Sequence, residues 1–129
     1  MIVVDASVLA TVPIGDEQAA ETLRRRLLRR ALAAPSLVDL EVVSVLRRKR
    51  VQGRLDEHRA GHAVVDLHAL PLARAPERPL LQRVWELRHN LTSYDAAYVA
   101  LAETLRVPLL TGDQRLAAAP GIRCEVELA

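Results

Sequence analysis

The sequence predicts a single α/β domain in which a central parallel β-sheet is sandwiched by α-helices. Short apolar runs alternate with amphipathic stretches along the chain, a rhythm typical of βαβ units. With 129 residues, 50% of them hydrophobic and 26% charged, the chain has the size and composition of one folded domain with one core. We therefore treat residues 1–129 as one domain.

Four strands and one short additional strand are expected. Residues 2–4 are apolar and largely β-branched, 107–111 form the strongest apolar run, and 124–128 alternate near the C-terminus. Residues 70–73 lie between two helical patterns, and 33–34 are expected to add a very short strand.

The helices are marked more clearly than the strands. Ala20, Leu23 and Leu27 recur at three- and four-residue intervals with arginines between them, which predicts an amphipathic helix over 17–30. After Pro35, the S-x-x-D pattern of Ser36 and Asp39 is a capping signal for a second helix. Gly53 is expected to end that helix, and three more are predicted over 56–68, 79–89 and 93–105.

The ends of the chain and its single cysteine restrict its compartment. Asp5 interrupts the apolar N-terminus early and no basic segment precedes it, which argues against a signal peptide. No apolar run approaches the length of a membrane span. Cys124 has no second cysteine to pair with, as is usual in a reducing compartment. A cytoplasmic protein with no membrane partner is expected.

The arginines are clustered at 24–30 and 47–50, both on predicted helices. The formal net charge is only +2, but setting aside four of the 16 acidic residues as a site leaves 12 acids against 18 Lys and Arg, or about +6. Such a balance suits a ligand with a phosphate backbone. The alternative is that the arginines are solvated helix faces. With only Trp85, Tyr94 and Tyr98 as aromatic residues, no base-stacking platform is evident.

Two aspartates follow predicted strands. Asp5 comes directly after 2–4, and Asp113 follows 107–111 after a Thr-Gly step that permits a tight turn. In an open parallel sheet the ligand crevice lies at the carboxyl ends of the strands, so the two side chains would converge there if their strands are neighbours. The alternative is that each aspartate is simply the N-cap of the next helix.

Two further acids lie on predicted helices. Asp95 follows Thr92 in a T-x-x-D capping box, which by itself explains its presence. Glu41 has apolar neighbours one helical turn away, which places its carboxylate on a buried face where it needs a partner. The carboxylate should be hydrogen-bonded, protonated, paired with an arginine or near a cation. The structural alternatives to a shared cation site are a salt bridge with Arg48, two turns further along the helix, and an exposed helix edge.

The four carboxylates Asp5, Glu41, Asp95 and Asp113 would repel one another in a single crevice unless a divalent cation offset their charges. Ligation by oxygen alone favours Mg²⁺, with Mn²⁺ as a substitute, over zinc. Phosphodiester hydrolysis by metal-activated water is the reaction that fits such a site.

Four segments carry a resemblance to a known family. They are VVDASVL around Asp5, PSLVDLEVVSVLRR around Glu41, LTSYDAAYVALAE around Asp95 and LLTGD ending at Asp113. They resemble the four acidic motifs of PIN-domain nucleases. Their order and their gaps of 36, 54 and 18 residues, by subtraction of the residue numbers, are similar to those of the short bacterial VapC toxins. The resemblance spans nearly the whole chain.

The resemblance implies an α/β/α fold, an Mg²⁺-dependent endoribonuclease, an RNA substrate, and a VapB-type antitoxin that blocks the site. It also implies a homodimer, with a higher assembly when the antitoxin binds. By matching positions, Asp5, Asp95 and Asp113 would gather the metal, with Glu41 completing the set. Thr111 would orient the neighbouring carboxylates. Ser44 departs from the asparagine common in the family, which puts one supporting hydrogen bond in doubt.

The remaining features are weaker. His58 and His62 are one helical turn apart but lack a supporting metal motif, so a surface or interface position is expected. Trp85 is interpreted as a core or dimer-contact residue. The competing functions are a PIN nuclease of RNA processing or repair that has no antitoxin, and a catalytically silent module that binds RNA or protein.

Overall fold

The computed structural model describes residues 1–11 and 17–129 and contains one sheet of five parallel strands. The strand order is β3-β2-β1-β4-β5. This confirms the predicted central parallel sheet. The strands are β1 (Ile2–Val4), β2 (Leu32–Pro35), β3 (Leu72–Ala75), β4 (Leu109–Thr111) and β5 (Val126–Leu128).

Seven α-helices in the described residues flank this sheet. They are α1 (Ala6–Thr11), α2 (Glu17–Leu28), α3 (Val38–Val51), α4 (Glu57–Ala69), α5 (Leu81–Glu86), α6 (Ser93–Leu105) and α7 (Gln114–Ala117). A 3₁₀ turn at Arg78–Leu80 leads into α5. None of the helices in the described part of the chain is both long and apolar enough to cross a membrane.

The topology creates a crevice between β1 and β4. From β1 the chain moves outward through β2 to β3, then crosses back to β4 on the other side of β1 and continues to β5. Right-handed crossovers place α1 to α4 on one face of the sheet and α5 to α7 on the other. The packing of α1 on α3 and of α5 on α6 agrees with this. The strand order reverses between β1 and β4, which is where ligands bind in sheets of this kind.

The core lies on both sides of β1, whose three residues are fully buried, as expected for a central strand covered on two faces. On α6, every residue from 96 to 102 is buried, and four of these seven are alanines. These small side chains let α6 pack close to β1, β2 and β4. Asp95, one residue before this stretch, is thereby held close to the carboxyl ends of the strands.

Several element boundaries differ from prediction because prolines and turns move them. The third strand begins two residues later than expected, since Leu70 and Pro71 are needed to end α4 and turn the chain. The short strand expected at 33–34 is a four-residue interior strand. The helix expected over 79–89 is divided into the 3₁₀ turn and α5 and ends at Glu86.

The Ser36 capping signal was interpreted wrongly. Leu37 is the N-cap of α3 and makes no side-chain cap bond, and Asp39 pairs with Arg74 of β3 instead. The carboxylate of Glu77, distant in sequence, accepts the backbone N–H of Leu37 at 2.7 Å and the hydroxyl of Ser36 at 2.8 Å. A negative charge at this helix N-terminus is favourable because it faces the positive end of the helix dipole.

Candidate active site

Asp5 and Asp113 lie at the carboxyl ends of two neighbouring strands. β1 and β4 pair in parallel, with Val4 opposite Leu110, and the backbone N–H of Asp5 donates to the carbonyl of Leu110 at 3.1 Å. The strand adjacency on which the predicted convergence depended is therefore present. Both aspartates therefore lie where the strand order reverses, next to β1 and β4.

The Asp5 carboxylate is held at both oxygens, although only 5% of the residue is exposed. Oδ1 accepts the backbone N–H of Ser7 at 2.7 Å and also a short hydrogen bond from the Ser7 hydroxyl. Oδ2 accepts a short hydrogen bond from the hydroxyl of Thr111, which is completely buried. These donors compensate the burial of the carboxylate and fix its orientation.

The same two hydroxyls connect Asp5 to the loop after β4. Ser7 Oγ accepts the backbone N–H of Gly112 at 2.9 Å, and Thr111 Oγ1 accepts that of Asp113 at 3.0 Å. A Cβ at Gly112 would lie 3.1 Å from Ser7 Oγ, which is closer than most real Cβ contacts. Glycine is therefore the residue that lets this loop approach Ser7.

The capping alternative is correct for the local hydrogen bonds of both aspartates. Asp113 is the N-cap of α7 and accepts the backbone N–H of Arg115 at 2.8 Å. Asp5 accepts the N–H of Ser7 in the first turn of α1. Because a carboxylate has about four acceptor positions, a capping bond leaves capacity for a further ligand. Capping and a site role are thus compatible.

Asp95 lies in the first turn of α6, where its backbone N–H donates to the Thr92 hydroxyl at 3.1 Å, as the capping box predicts. Burial raises the pKa of the half-buried Asp95 carboxyl. The Thr92 hydrogen bond opposes this rise, whereas the charges of Asp5 and Asp113 add to it. The carboxylates of Asp5 and Asp113, which follow β1 and β4, are therefore close enough to influence that of Asp95 in α6.

Glu41 lies in the first turn of α3 and is half-buried, as its apolar neighbours predict. Its hydrogen-bond partner is Tyr98 of α6, whose hydroxyl donates to Oε1 at 2.7 Å, so the alternative pairing with Arg48 is wrong. Burial raises the pKa of Glu41, the Tyr98 bond lowers it, and the charges of Asp95 and Asp5 raise it again. Glu41 thus belongs, with Asp5, Asp95 and Asp113, to one acidic cluster.

The chemistry of this donor set fits a hard divalent cation. All four side chains offer carboxylate oxygens, and the raised pKa values of Glu41 and Asp95 show that their charges lack full compensation from the protein. Among the described residues, no group of three His, Cys, Asp or Glu side chains is already arranged to hold a metal ion. Mg²⁺ usually binds through one or two carboxylates and keeps several waters, so a complete protein cage is not required.

Sequence reasoning missed Ser7 and Tyr98. Ser7 belongs to the D-A-S step, and an aspartate side chain commonly accepts the backbone N–H of the residue two positions later. Tyr98 follows Asp95 by three residues and therefore lies on the same side of the helix. Buried tyrosine hydroxyls usually have a hydrogen-bond partner, which is the signal that could have identified the pair with Glu41.

The structure also describes the histidine pair and Trp85, which the sequence singled out as weaker features. The rings of His58 and His62 lie 4.3 Å apart on α4 and form no described metal cluster. Trp85 is 64% exposed, so a core position is wrong, and the Arg88 guanidinium lies 4.3 Å from its ring centre. This contact is a cation–π interaction at the surface.

Comparisons with known proteins agree with the fold. The family model described as "PIN domain" matches residues 2–122. The chain belongs to the PIN-domain family. Ribonuclease VapC1 of Mycobacterium tuberculosis is 46% identical over 127 residues, which cover 98% of this chain and 96% of that protein. Ribonuclease VapC12 of the same organism is 41% identical over 132 residues and covers 99% and 98% of the two chains.

Solved structures show the same PIN-domain architecture. PAE2754 from Pyrobaculum aerophilum has a TM-score of 0.71 at 25% identity, over 97% of this chain and 81% of its own. VapBC2 from Rickettsia felis has a TM-score of 0.71 at 13% identity, over 99% of this chain and 98% of the matched chain. The PIN fold is therefore confirmed along the chain.

Proposed function

We propose that this PIN-domain protein is a divalent-metal-dependent endoribonuclease, and that it acts as the VapC-type toxin of a toxin–antitoxin system. The observation that carries the proposal is the acidic cluster of Asp5, Glu41, Asp95 and Asp113 at the reversal of strand order. The relatives named VapC ribonucleases, which match nearly the full chain, support the same activity.

The proposed site residues differ in how firmly hydrogen bonds hold them. Asp5 is the most firmly held because the Ser7 and Thr111 hydroxyls bind both its oxygens. Asp95, Asp113 and Glu41 would join it around Mg²⁺, or Mn²⁺ as a substitute. When bound, such an ion supplies an activated water and neutralises charge on the phosphate. The protein contributes the carboxylate oxygens that would hold the ion.

RNA is the proposed substrate, although much of the first arginine cluster is already paired. Arg26 and Arg30 both bind Glu127, at 2.7 and 2.9 Å, and Arg25 binds Glu21 at 2.8 Å. These three arginines are therefore engaged in ion pairs within the chain. The exposed arginines at 47–48, on the helix that carries Glu41, remain candidates for contacts with phosphates.

A VapB-type antitoxin is the proposed protein partner, and an apolar groove formed by α2, α3 and α4 is its proposed docking place. The groove is lined by Leu27 and Leu28 of α2, Val42 of α3 and Leu67 of α4. Leu28 is 79% exposed, which is unusual for a leucine beside other apolar groups. We propose that a partner helix covers it and that a basic side chain of the partner reaches the carboxylates.

A cleavage assay tests the enzymatic part of the proposal. Purified protein is incubated with end-labelled RNA in EDTA, and then with Mg²⁺ or Mn²⁺ restored. We expect internal cleavage only with the divalent ion, and none with Asp5→Asn. Cleavage that continues in EDTA would contradict metal dependence. Absence of any cleavage across a range of RNAs would favour the silent binding module.

A binding assay separates the toxin from a PIN nuclease of RNA processing. The product of the neighbouring small reading frame is expected to co-purify with the chain, to inhibit cleavage, and to bind Leu28→Glu more weakly. Because Leu28 is exposed, this substitution should leave the fold intact, which circular dichroism can verify. Light scattering of the free chain tests the proposed homodimer. A chain that cleaves RNA but binds no such product would favour RNA processing.

A further inference from the structure

One buried phenol oxygen joins the elements that carry the acidic residues. Tyr98 is 1% exposed in the middle of α6, and its hydroxyl donates to Glu41 Oε1 at 2.7 Å. The backbone of Ala6 interacts with the same oxygen. Tyr98 therefore connects α6, which carries Asp95, to α3, which carries Glu41, and to the start of α1, directly after Asp5.

Glu41 needs such a connection because its environment disfavours its present position. Its side chain is long, flexible and partly buried, and the carboxylates of Asp95 and Asp5 lie close enough to repel its negative charge. Rotation toward solvent would relieve both the burial and the repulsion. The Tyr98 hydroxyl opposes this rotation because a hydrogen bond to a charged acceptor is among the stronger ones in proteins.

We propose that Tyr98 is a positioning residue of the cleavage reaction, whose hydroxyl holds Glu41 within the acidic cluster so that the carboxylate contributes to cation binding. Tyr98 donates its single hydroxyl proton to Glu41, and so acts through that side chain and not on the RNA. The rigid ring of Tyr98 packs in the hydrophobic core, so the position of the donor hydroxyl is fixed. The inference rests on the proposed function, since it requires a divalent cation at the cluster.

The direct test is Tyr98→Phe, which removes one oxygen and keeps the buried ring. Tyr94→Phe is the matched control, because Tyr94 lies on the same helix but is 64% exposed. We expect Tyr98→Phe to weaken Mn²⁺ binding in calorimetry by about tenfold, the scale of one hydrogen bond to a charged group. We expect kcat to fall by a similar factor, KM for RNA to stay within about twofold, and the control to match the wild type. Wild-type Mn²⁺ affinity in a folded Tyr98→Phe would overturn the inference.

A double-mutant cycle separates positioning from a purely structural role. In a Glu41→Gln background, Tyr98→Phe should cause little further loss of kcat at saturating Mn²⁺, because the carboxylate it positions is gone. An equal loss in both backgrounds would overturn the inference. If the proposed function itself is wrong, the wild-type protein gives a different result. It then either fails to bind Mn²⁺ or continues to cleave RNA in EDTA.

A measurement on folded wild-type protein covers the case in which Tyr98→Phe does not fold. The chain has only two tyrosines, so ¹³C-tyrosine labelling gives two ring Cζ resonances, which the Tyr94→Phe variant assigns. Titration with Mg²⁺ should shift the Tyr98 resonance, and Glu41→Gln should abolish that response. A Tyr98 resonance that ignores Mg²⁺ in a wild-type protein that binds the ion would overturn the inference.

Discussion

The buried hydroxyl of Thr111 donates a hydrogen bond to Oδ2 of Asp5, joining two residues 106 positions apart in the chain. Thr111 Oγ1 also accepts the backbone N–H of Asp113, so the Thr111 side chain connects the ends of two parallel strands. The Ser7 hydroxyl makes a similar connection, because it donates to Oδ1 of Asp5 and accepts the backbone N–H of Gly112. Together, Thr111 and Ser7 make Asp5 the most firmly held acid of the cluster. Asp5 is therefore the residue at which substitution should have the clearest effect.

Asp5→Asn is expected to reduce RNA cleavage by at least about a hundredfold, because it removes a charged oxygen from the proposed cation site. Relief of the repulsion between carboxylates would by itself raise the Tm of this variant. However, an amide group in place of one oxygen would face hydroxyl donors, so a small loss of Tm is expected. The assay compares cleavage and thermal unfolding with Glu21→Gln, an exposed control on α2. Wild-type cleavage by Asp5→Asn would refute the proposed site.

Thr111→Val is expected to lower stability by about 1–3 kcal/mol, because it leaves a carboxylate oxygen of Asp5 and the backbone N–H of Asp113 without their buried partner. It should also lower kcat, since the proposed metal ligands lose their orientation. Thr111→Ser keeps the hydroxyl and should preserve most of the activity. Urea unfolding and RNA cleavage by the three proteins provide the comparison. Equal activity of the valine and serine variants would show that the hydroxyl is not needed.

Much of the fold could be predicted because apolar periodicity and strand-end aspartates are local signals. The strand at Ile2–Val4 and the helix at Ser93–Leu105 were predicted with the observed bounds. The two short helices α1 and α7 were missed, since six and four residues are too few to show a helical period.

The partners of the site residues were harder to predict because they come from distant segments. Nothing adjacent to Glu41 in sequence indicates that its carboxylate meets Tyr98, 57 positions later. The alternative with Arg48 followed from local spacing alone, and the structure replaced it with a contact between helices on opposite faces of the sheet. Local patterns identify which residue needs a partner, whereas the topology determines which partner it has.

Glu77→Ala is expected to destabilise the protein by about 1 kcal/mol, the usual cost of losing an N-terminal helix cap. Its carboxylate accepts both the Leu37 N–H and the Ser36 hydroxyl at the start of α3. Ser36→Ala removes only the second contact and should cost less. If Ser36 were the true cap, the order of the two losses in urea unfolding would be reversed.

The last prediction concerns the stability of the metal-free protein as a function of pH. Burial, and the charges of neighbouring acids, raise the pKa values of Glu41 and Asp95 above those of the unfolded chain, which are about 4. At any pH between the pKa values of the unfolded chain and the raised pKa values of the folded protein, the folded protein binds more protons than the unfolded chain. Glu41 and Asp95 therefore lower the stability of the fold as pH rises through that range. Their cost is absent below pH of about 4 and complete above the raised values.

Glu41→Gln should accordingly raise the free energy of unfolding at neutral pH in EDTA and have less effect near pH 4. Glu103→Gln is a control of opposite sign. Burial raises the pKa of Glu103, but the hydrogen bonds from Arg83 and from the Arg123 backbone bring it below its usual value. That ionised group contributes stability above the unfolded pKa and loses it as pH falls through the folded pKa, so Glu103→Gln should destabilise at neutral pH. Urea unfolding of the three proteins between pH 4 and 7 checks both signs. A Glu41→Gln variant less stable than the wild type at neutral pH would mean that this carboxylate stabilises the fold and is not held there at a cost for cation binding.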